Sequence, residues 1–296
     1  MTASGTAGHG AELARYLDLS SLGAVVVKSL SAEPWQGNPA PRVTEVDAGM
    51  LNSVGLQNPG VEAWLDDELP ALLATGARVV ASVWGFTVEA YEKAATALAD
   101  APPGLVAVEV NLSCPNLHGA ARRGEDRPAM FAHSAARTAE AVEATAGCRR
   151  PRWAKLSPNV TDLTEIAGAA LGAGAEALTL VNTVMGLAID PETRRPRLGG
   201  GGGGLSGPAI RPVAVRAVYD VRAAFPGAAV VGVGGVATAE HAVELLLAGA
   251  AAVQVGTATF ADPRAPGRIL AELERWCRGH GVERVADLVG SAHGNA

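Results

Sequence analysis

Short apolar runs, rich in β-branched residues, recur along the chain and are separated by segments with helical spacing. The runs AVVVK (24–28), RVVASV (78–83), VAVEVN (106–111), RWAKLS (152–157), ALTLVN (177–182), VVGVGG (230–235) and AVQVGT (252–257) are almost continuously apolar, the pattern of strands buried on both faces. Between them, TVEAYEKAATALAD, TDLTEIAGAALGAG and TAEHAVELLLAGA open on Thr, a plausible N-cap, and two of the three carry Gly where a helix would end. Strands alternating with helices predict a parallel sheet with crossover helices.

Seven strands is one short of the eight that close a (β/α) barrel. Every other strand ends in a polar or Gly-containing turn, and ASGT at 3–6 reads as such a turn without its strand. The expectation is therefore an α/β fold, a (β/α)8 TIM barrel forming a single domain over 1–296, with its first strand missing at the N-terminus and a strand edge left open. The glycine run Gly199–Gly204 reads either as a phosphate cradle or, preferably, as a mobile loop.

In such a barrel the active site forms at the C-terminal strand ends. Here those ends carry Lys28 and Ser29, Ser82, Asn111 followed by Cys114 and Asn116, Lys155, Asn182 and Thr183, Gly234 and Gly235, and Gly256 and Thr257. Taken singly, each has a structural reading: a solvated cation, a turn former, a small buried thiol. Together, two lysines, three asparagines and a thiol at one end point to chemistry. Glycines at the last two strand ends let backbone N–H groups approach an anion, as in barrel phosphate sites.

Composition narrows the class. The chain has 296 residues, 48% hydrophobic and 4% aromatic, enough for one large Ala/Val/Leu core. A net charge of −6, without basic stripes, gives no footprint for nucleic acid or an anionic membrane. There is no run of membrane-spanning length and no signal-peptide pattern, so a cytoplasmic location is expected. Three cysteines, Cys114, Cys148 and Cys277, lack CxxC spacing, and the six histidines show no ligand spacing, so no metal site is expected. Lysines and amides beside a phosphate anchor suggest a phosphorylated cofactor.

The stretches ASGT, VVVKS, GNPAPRVTE, GMLNSVGLQNPG, VNLSCPN, AKLSPNVTD, LVNTVMGLAIDPETRRP, GGLSGPAIRPVAVR, GVGGVATAEHA and VGTATF carry a resemblance over nearly the whole chain. They resemble class 1 dihydroorotate dehydrogenases, and NTVMGLAID in particular resembles the catalytic subunit of class 1B. The resemblance implies an FMN-dependent oxidoreductase acting on a CH–CH group, which converts (S)-dihydroorotate to orotate in pyrimidine biosynthesis. It implies FMN contacts from Ser4, Lys28, Ser29, Ser82, Asn111, Lys155, Val181 and Gly207, with the phosphate at Gly234, Gly235, Gly256 and Thr257. It implies substrate contacts from Lys28, Asn52, Ser53, Val54, Gly55, Leu56, Asn111, Asn116, Asn182 and Thr183, and Cys114 as catalytic base. A free thiol has a pKa near 8.5, so activity rising with pH is expected unless neighbours lower that value.

Partners follow from the same resemblance: a homodimer core and a second subunit with FAD and a [2Fe-2S] cluster that passes electrons to NAD. Departures from the family pattern are the short N-terminus, Ser82 where Asn is usual, and the glycine run, expected to loosen the approach to Gly207. Two other readings stay open: a flavin enzyme of the dihydropyrimidine dehydrogenase type, and a non-catalytic flavin-binding or scaffold homologue.

Overall fold

The computed structural model describes residues 1–112 and 130–295. All seven expected strands are present: β1 (Val25–Val26), β2 (Val79–Val83), β3 (Leu105–Asn111), β4 (Arg152–Lys155), β5 (Ala177–Leu180), β6 (Ala229–Val233) and β7 (Ala252–Gln254). They lie side by side in sequence order and every pairing is parallel. The curled sheet is the (β/α) barrel that the alternation predicts.

The expected gap between the two edge strands is filled by Met1, Thr2 and Ala3. Ala3 N–H donates to the Val255 carbonyl at 2.9 Å, Val255 N–H to that of Met1 at 2.8 Å, and Thr2 N–H to that of Ala24 at 3.3 Å. The Thr2 hydroxyl also accepts from Val26 N–H at 2.9 Å, and Thr2 is fully buried. The expectation of an open edge is thus corrected: three residues suffice because their backbone groups serve both neighbours.

Alternation along the strands divides the interior. Val25, Val27, Val79, Ala81, Val83, Val108 and Val110 belong to the main core with the surrounding helices. Each such buried Val contributes about 1.5–3 kcal/mol of burial. The intervening residues face the lumen, where Ala24, Val26, Val80 and Ala107 form a small separate cluster backed by Met1 and Trp153. Farther along the strands come the buried polar residues Ser82, Glu109, Asn111, Lys155, Thr179 and Gln254.

The helices start largely where Thr was expected to cap them. Thr87 accepts from Ala90 N–H at the start of Val88–Thr96, and Thr238 from His241 N–H at the start of Ala239–Ala248. In the third, Asp162 rather than Thr161 is the cap, accepting from the N–H groups of Thr164 and Glu165 before Leu163–Gly172. Among the described residues no helix is long and apolar enough to cross a membrane.

A second sheet, not foreseen from the sequence, is antiparallel and ordered Val43–Val46, Gly49–Asn52, Gly203–Ser206, Val184–Gly186. The glycine run supplies one of its inner strands, which corrects the mobile-loop reading. A Cβ at Gly203 would stand 2.4 Å from the Asn52 carbonyl oxygen, and one at Gly204 2.0 Å from Thr183 Oγ1. At Gly203 and Gly204 neighbouring backbone and side chains pass too close for anything larger than glycine.

Candidate active site

The C-terminal strand ends and the antiparallel sheet enclose a cleft whose empty space, mouth included, is about 1050 Å³. Most of the expected cofactor contacts line it: Ser4, Lys28, Ser29, Asn111, Lys155 and Val181 on one side, Gly207, Gly234, Gly235, Gly256 and Thr257 on the other. So do Asn52, Val54, Gly55, Leu56, Asn182 and Thr183 from the expected substrate set. Ser53 does not reach the cleft; it is fully buried and its hydroxyl accepts from Asn38 Nδ2 at 3.0 Å. Cys114 and Asn116 lie outside the described residues.

Ser82 does not line the cleft either, but stands behind it. Its hydroxyl shares a 2.9 Å hydrogen bond with that of Ser29, which in turn accepts from Asn111 Nδ2 at 3.0 Å and lies 3.2 Å from Ser4 Oγ. Asn111 is braced twice more: its carbonyl accepts from the Tyr91 hydroxyl at 2.8 Å, and its Oδ1 from Asn182 Nδ2 at 3.3 Å. The polar floor is therefore one connected network, which fixes side-chain orientation more firmly than isolated bonds would.

Sequence reasoning missed several participants. Asn159 donates from Nδ2 to the Thr183 carbonyl at 3.0 Å and accepts from Met185 N–H at 2.8 Å, fixing the turn that carries Thr183. Its signal was available in the stretch SPN just beyond Lys155. Ser206 receives the Thr257 hydroxyl at 2.8 Å, while Val43, Met50 and Ile210 supply apolar walls. These come from the antiparallel sheet and its exit, whose approach to the barrel no local pattern announces.

The donor set is suited to an anion. The cleft lining contains two lysines and, among the described residues, no carboxylate. At its far end Gly234 and Gly235 have φ of +137° and +72°, and a Cβ at Gly235 would sit 2.6 Å from that of Arg211. The N–H groups of Gly235, Gly256 and Thr257 donate to no backbone carbonyl among the described residues. Left-handed glycines with spare N–H groups form a phosphate cradle, while the lysines and amides match a polar ring system. The residues present thus fit FMN, cradle at one end and ring edge at the other.

Comparison with known proteins agrees with this geometry. Residues 1–276 match the family model described as dihydroorotate dehydrogenase. The catalytic subunit of dihydroorotate dehydrogenase B (NAD(+)) from Desulforudis audaxviator is 50% identical over 293 residues, covering 99% of this chain and 93% of the relative. A protein of Solibacter usitatus, provisionally named dihydroorotate dehydrogenase A (fumarate), is 50% identical over 292 residues, 98% of this chain and 93% of the relative. The Geobacter sulfurreducens dihydroorotate dehydrogenase B (NAD(+)) catalytic subunit is 46% identical over 293 residues, with 98% and 93% covered. The chain belongs to the dihydroorotate dehydrogenase family.

Proposed function

We propose that this chain oxidises (S)-dihydroorotate to orotate in pyrimidine biosynthesis, with FMN in the cleft and the electrons passed on through a partner subunit. The observation that carries the reading is a cleft with two lysines, three lining asparagines and no described carboxylate, closed at one end by a glycine cradle.

The reaction removes a proton from ring carbon 5 and a hydride from carbon 6. FMN, which Ser29, Asn111, Lys155 and the glycine cradle would hold, would supply the hydride acceptor. Asn52, Asn111 and Asn182 offer amides that donate and accept, matching the substrate's alternating ring N–H and C=O groups. Lys28, half-buried at the end of β1, offers a cation to the substrate carboxylate. Lys155, 6% exposed on the cleft lining, would stabilise the negative charge that the cofactor gains on reduction. Cys114, three residues past the end of β3 in sequence, is the proposed base, taking the carbon 5 proton on its thiolate.

The proposed setting is a cytoplasmic homodimer core joined to an FAD/[2Fe-2S] subunit; the relatives' names, catalytic subunits, support the presence of a partner subunit. A second reading of the acceptor, fumarate, is favoured by the Solibacter relative's name.

The test is anaerobic mixing of the flavin-loaded protein with dihydroorotate, which is expected to bleach the flavin. Cys114→Ala is expected to keep FMN and to lose turnover by roughly 10²–10⁴-fold, the usual worth of a general base. Bleaching by dihydrouracil but not dihydroorotate would transfer the chain to the dihydropyrimidine reading, and full activity of Cys114→Ala would remove the base assignment.

A further inference from the structure

The barrel lumen contains a buried carboxylate that none of the roles above uses. Glu109, two residues before Asn111 on β3, is fully buried and absent from the cleft lining. Its Oε1 lies 3.4 Å from Lys155 Nζ, and its Oε2 accepts from Gln254 Nε2, across the lumen on β7, at 3.0 Å. Below this layer the lumen is filled by Ala24, Val26, Val80 and Ala107, so apolar residues serve perfectly well as a plug.

A carboxylate so far from water is costly unless a cation faces it. Here the cation is Lys155, the residue that reaches past Glu109 to the cleft floor. The Oε1–Nζ contact is electrostatic in kind, since Oε1 accepts no well-directed hydrogen bond among the described residues. The carboxylate is instead oriented through its other oxygen by Gln254. The arrangement runs from Gln254 through Glu109 to Lys155, each group set by the one beneath it.

We propose that Glu109 is a positioning residue: braced by Gln254, it holds the Lys155 ammonium in place and aimed at the cofactor ring edge. The proposal rests on the reading that this cleft holds the flavin, but not on the identity of the substrate. Two effects of the carboxylate have opposite signs. As a bare negative charge near the flavin it would disfavour the reduced, anionic form; as the support of Lys155 it favours that form.

The experiment is a reductive titration of the bound FMN against a dye of known potential, without dihydroorotate. Glu109→Gln keeps shape and a bond to Gln254. It is expected to lower the midpoint potential, with at least a tenfold loss of preference for the reduced form, about 30 mV for a two-electron couple. In a Lys155→Met background the same change is expected to lower it no further. A raised or unchanged potential in Glu109→Gln, or an equal further fall in the Lys155→Met background, would overturn the proposal. Should Glu109→Gln fail to retain flavin, Gln254→Met carries the test: a several-fold shift in the same direction is expected, and the wild-type potential there overturns it. Bleaching of the wild-type flavin by dihydroorotate is scored separately, so failure of the functional reading leaves this outcome interpretable.

Discussion

His9, in the turn after the three-residue strand stub, is a histidine that folding has made harder to protonate. Its Nε2 is buried without a hydrogen-bond partner among the described residues, while its carbonyl accepts from Trp64 Nε1 at 2.7 Å. Burial, and secondarily the Lys28 ammonium, push its pKa below the usual 6.5, with Glu12 opposing. The unfolded chain therefore takes up this proton at a higher pH than the folded one, and unfolding gains as pH falls below about 6.5. The loss is complete once pH is under the folded value. Burial lowers His133 in the same direction, so the two share the slope. Chemical denaturation at pH 5.5 and 7.5 is expected to show lower stability at the acid end, with a smaller difference in His9→Gln; an unchanged difference would mean that His9 does not contribute. At the same scale, Ser82 shows what a residue-by-residue reading gets partly right. Its position at a strand end was legible, but its hydroxyl is spent on Ser29 rather than on the cleft, because which neighbour a short side chain reaches is decided by the adjacent strand.

Among the elements, the antiparallel sheet connects sequence to site most directly. Gly204 pairs with Met185 on one side and Asn52 on the other, and its carbonyl accepts from Asn52 Nδ2 at 3.3 Å. A Cβ there would fall 2.6 Å from that of Thr183, so Gly204→Ala must displace Thr183 or shift its own strand. Overpacking of this kind costs about 1–3 kcal/mol. If that cost falls on the bound state, KM for dihydroorotate is expected to rise between about 5- and 160-fold, at about 1.36 kcal/mol per tenfold, with FMN affinity unchanged. Gly172→Ala, at the end of the Leu163–Gly172 helix, where the added Cβ meets nothing within 4 Å and φ is not left-handed, serves as the comparison. An unaltered KM in Gly204→Ala would show that the sheet does not set the substrate side. The seven barrel strands were legible because both faces are buried, so their outward and much of their inward positions are apolar and the runs stand out. The antiparallel strands were not: Val43–Val46 alternates between exposed and half-buried, and Gly203–Ser206 begins in a glycine run. The pairing that joins their two halves, Gly49–Asn52 with Gly203–Ser206, links segments about 150 residues apart in sequence, which no local periodicity encodes.

For the molecule as a whole, closure of the circle by Met1–Ala3 goes with a single cleft lined by the strand-end residues Lys28, Asn111, Lys155, Asn182 and Thr257, and leaves the destination of the electrons as the open variable. The chain has three cysteines, Cys114, Cys148 and Cys277, whereas a [2Fe-2S] cluster takes four protein ligands, ordinarily cysteines. Cys148 and Cys277 are also buried; burial pushes the Cys148 thiol above its ordinary value, away from the thiolate a metal requires. Among the described residues no group of three or more His, Cys, Asp or Glu could hold a metal. In the proposed reading the relay to NAD comes from a partner subunit, as the name of the Desulforudis relative suggests, whereas the name of the Solibacter relative suggests a small acceptor, fumarate, that would enter the same cleft after orotate leaves. The two routes separate in one assay. The purified, FMN-loaded chain is expected to turn over dihydroorotate with an artificial electron-accepting dye but to leave NAD unreduced at any concentration tried. NAD reduction should then appear on adding an FAD/[2Fe-2S] subunit, saturating as the complex fills. Rapid turnover with fumarate by the chain alone would instead assign the acceptor role to the substrate cleft. Direct reduction of NAD by the chain alone would contradict both routes, since it would require a nicotinamide to reach the flavin through the opening that dihydroorotate uses.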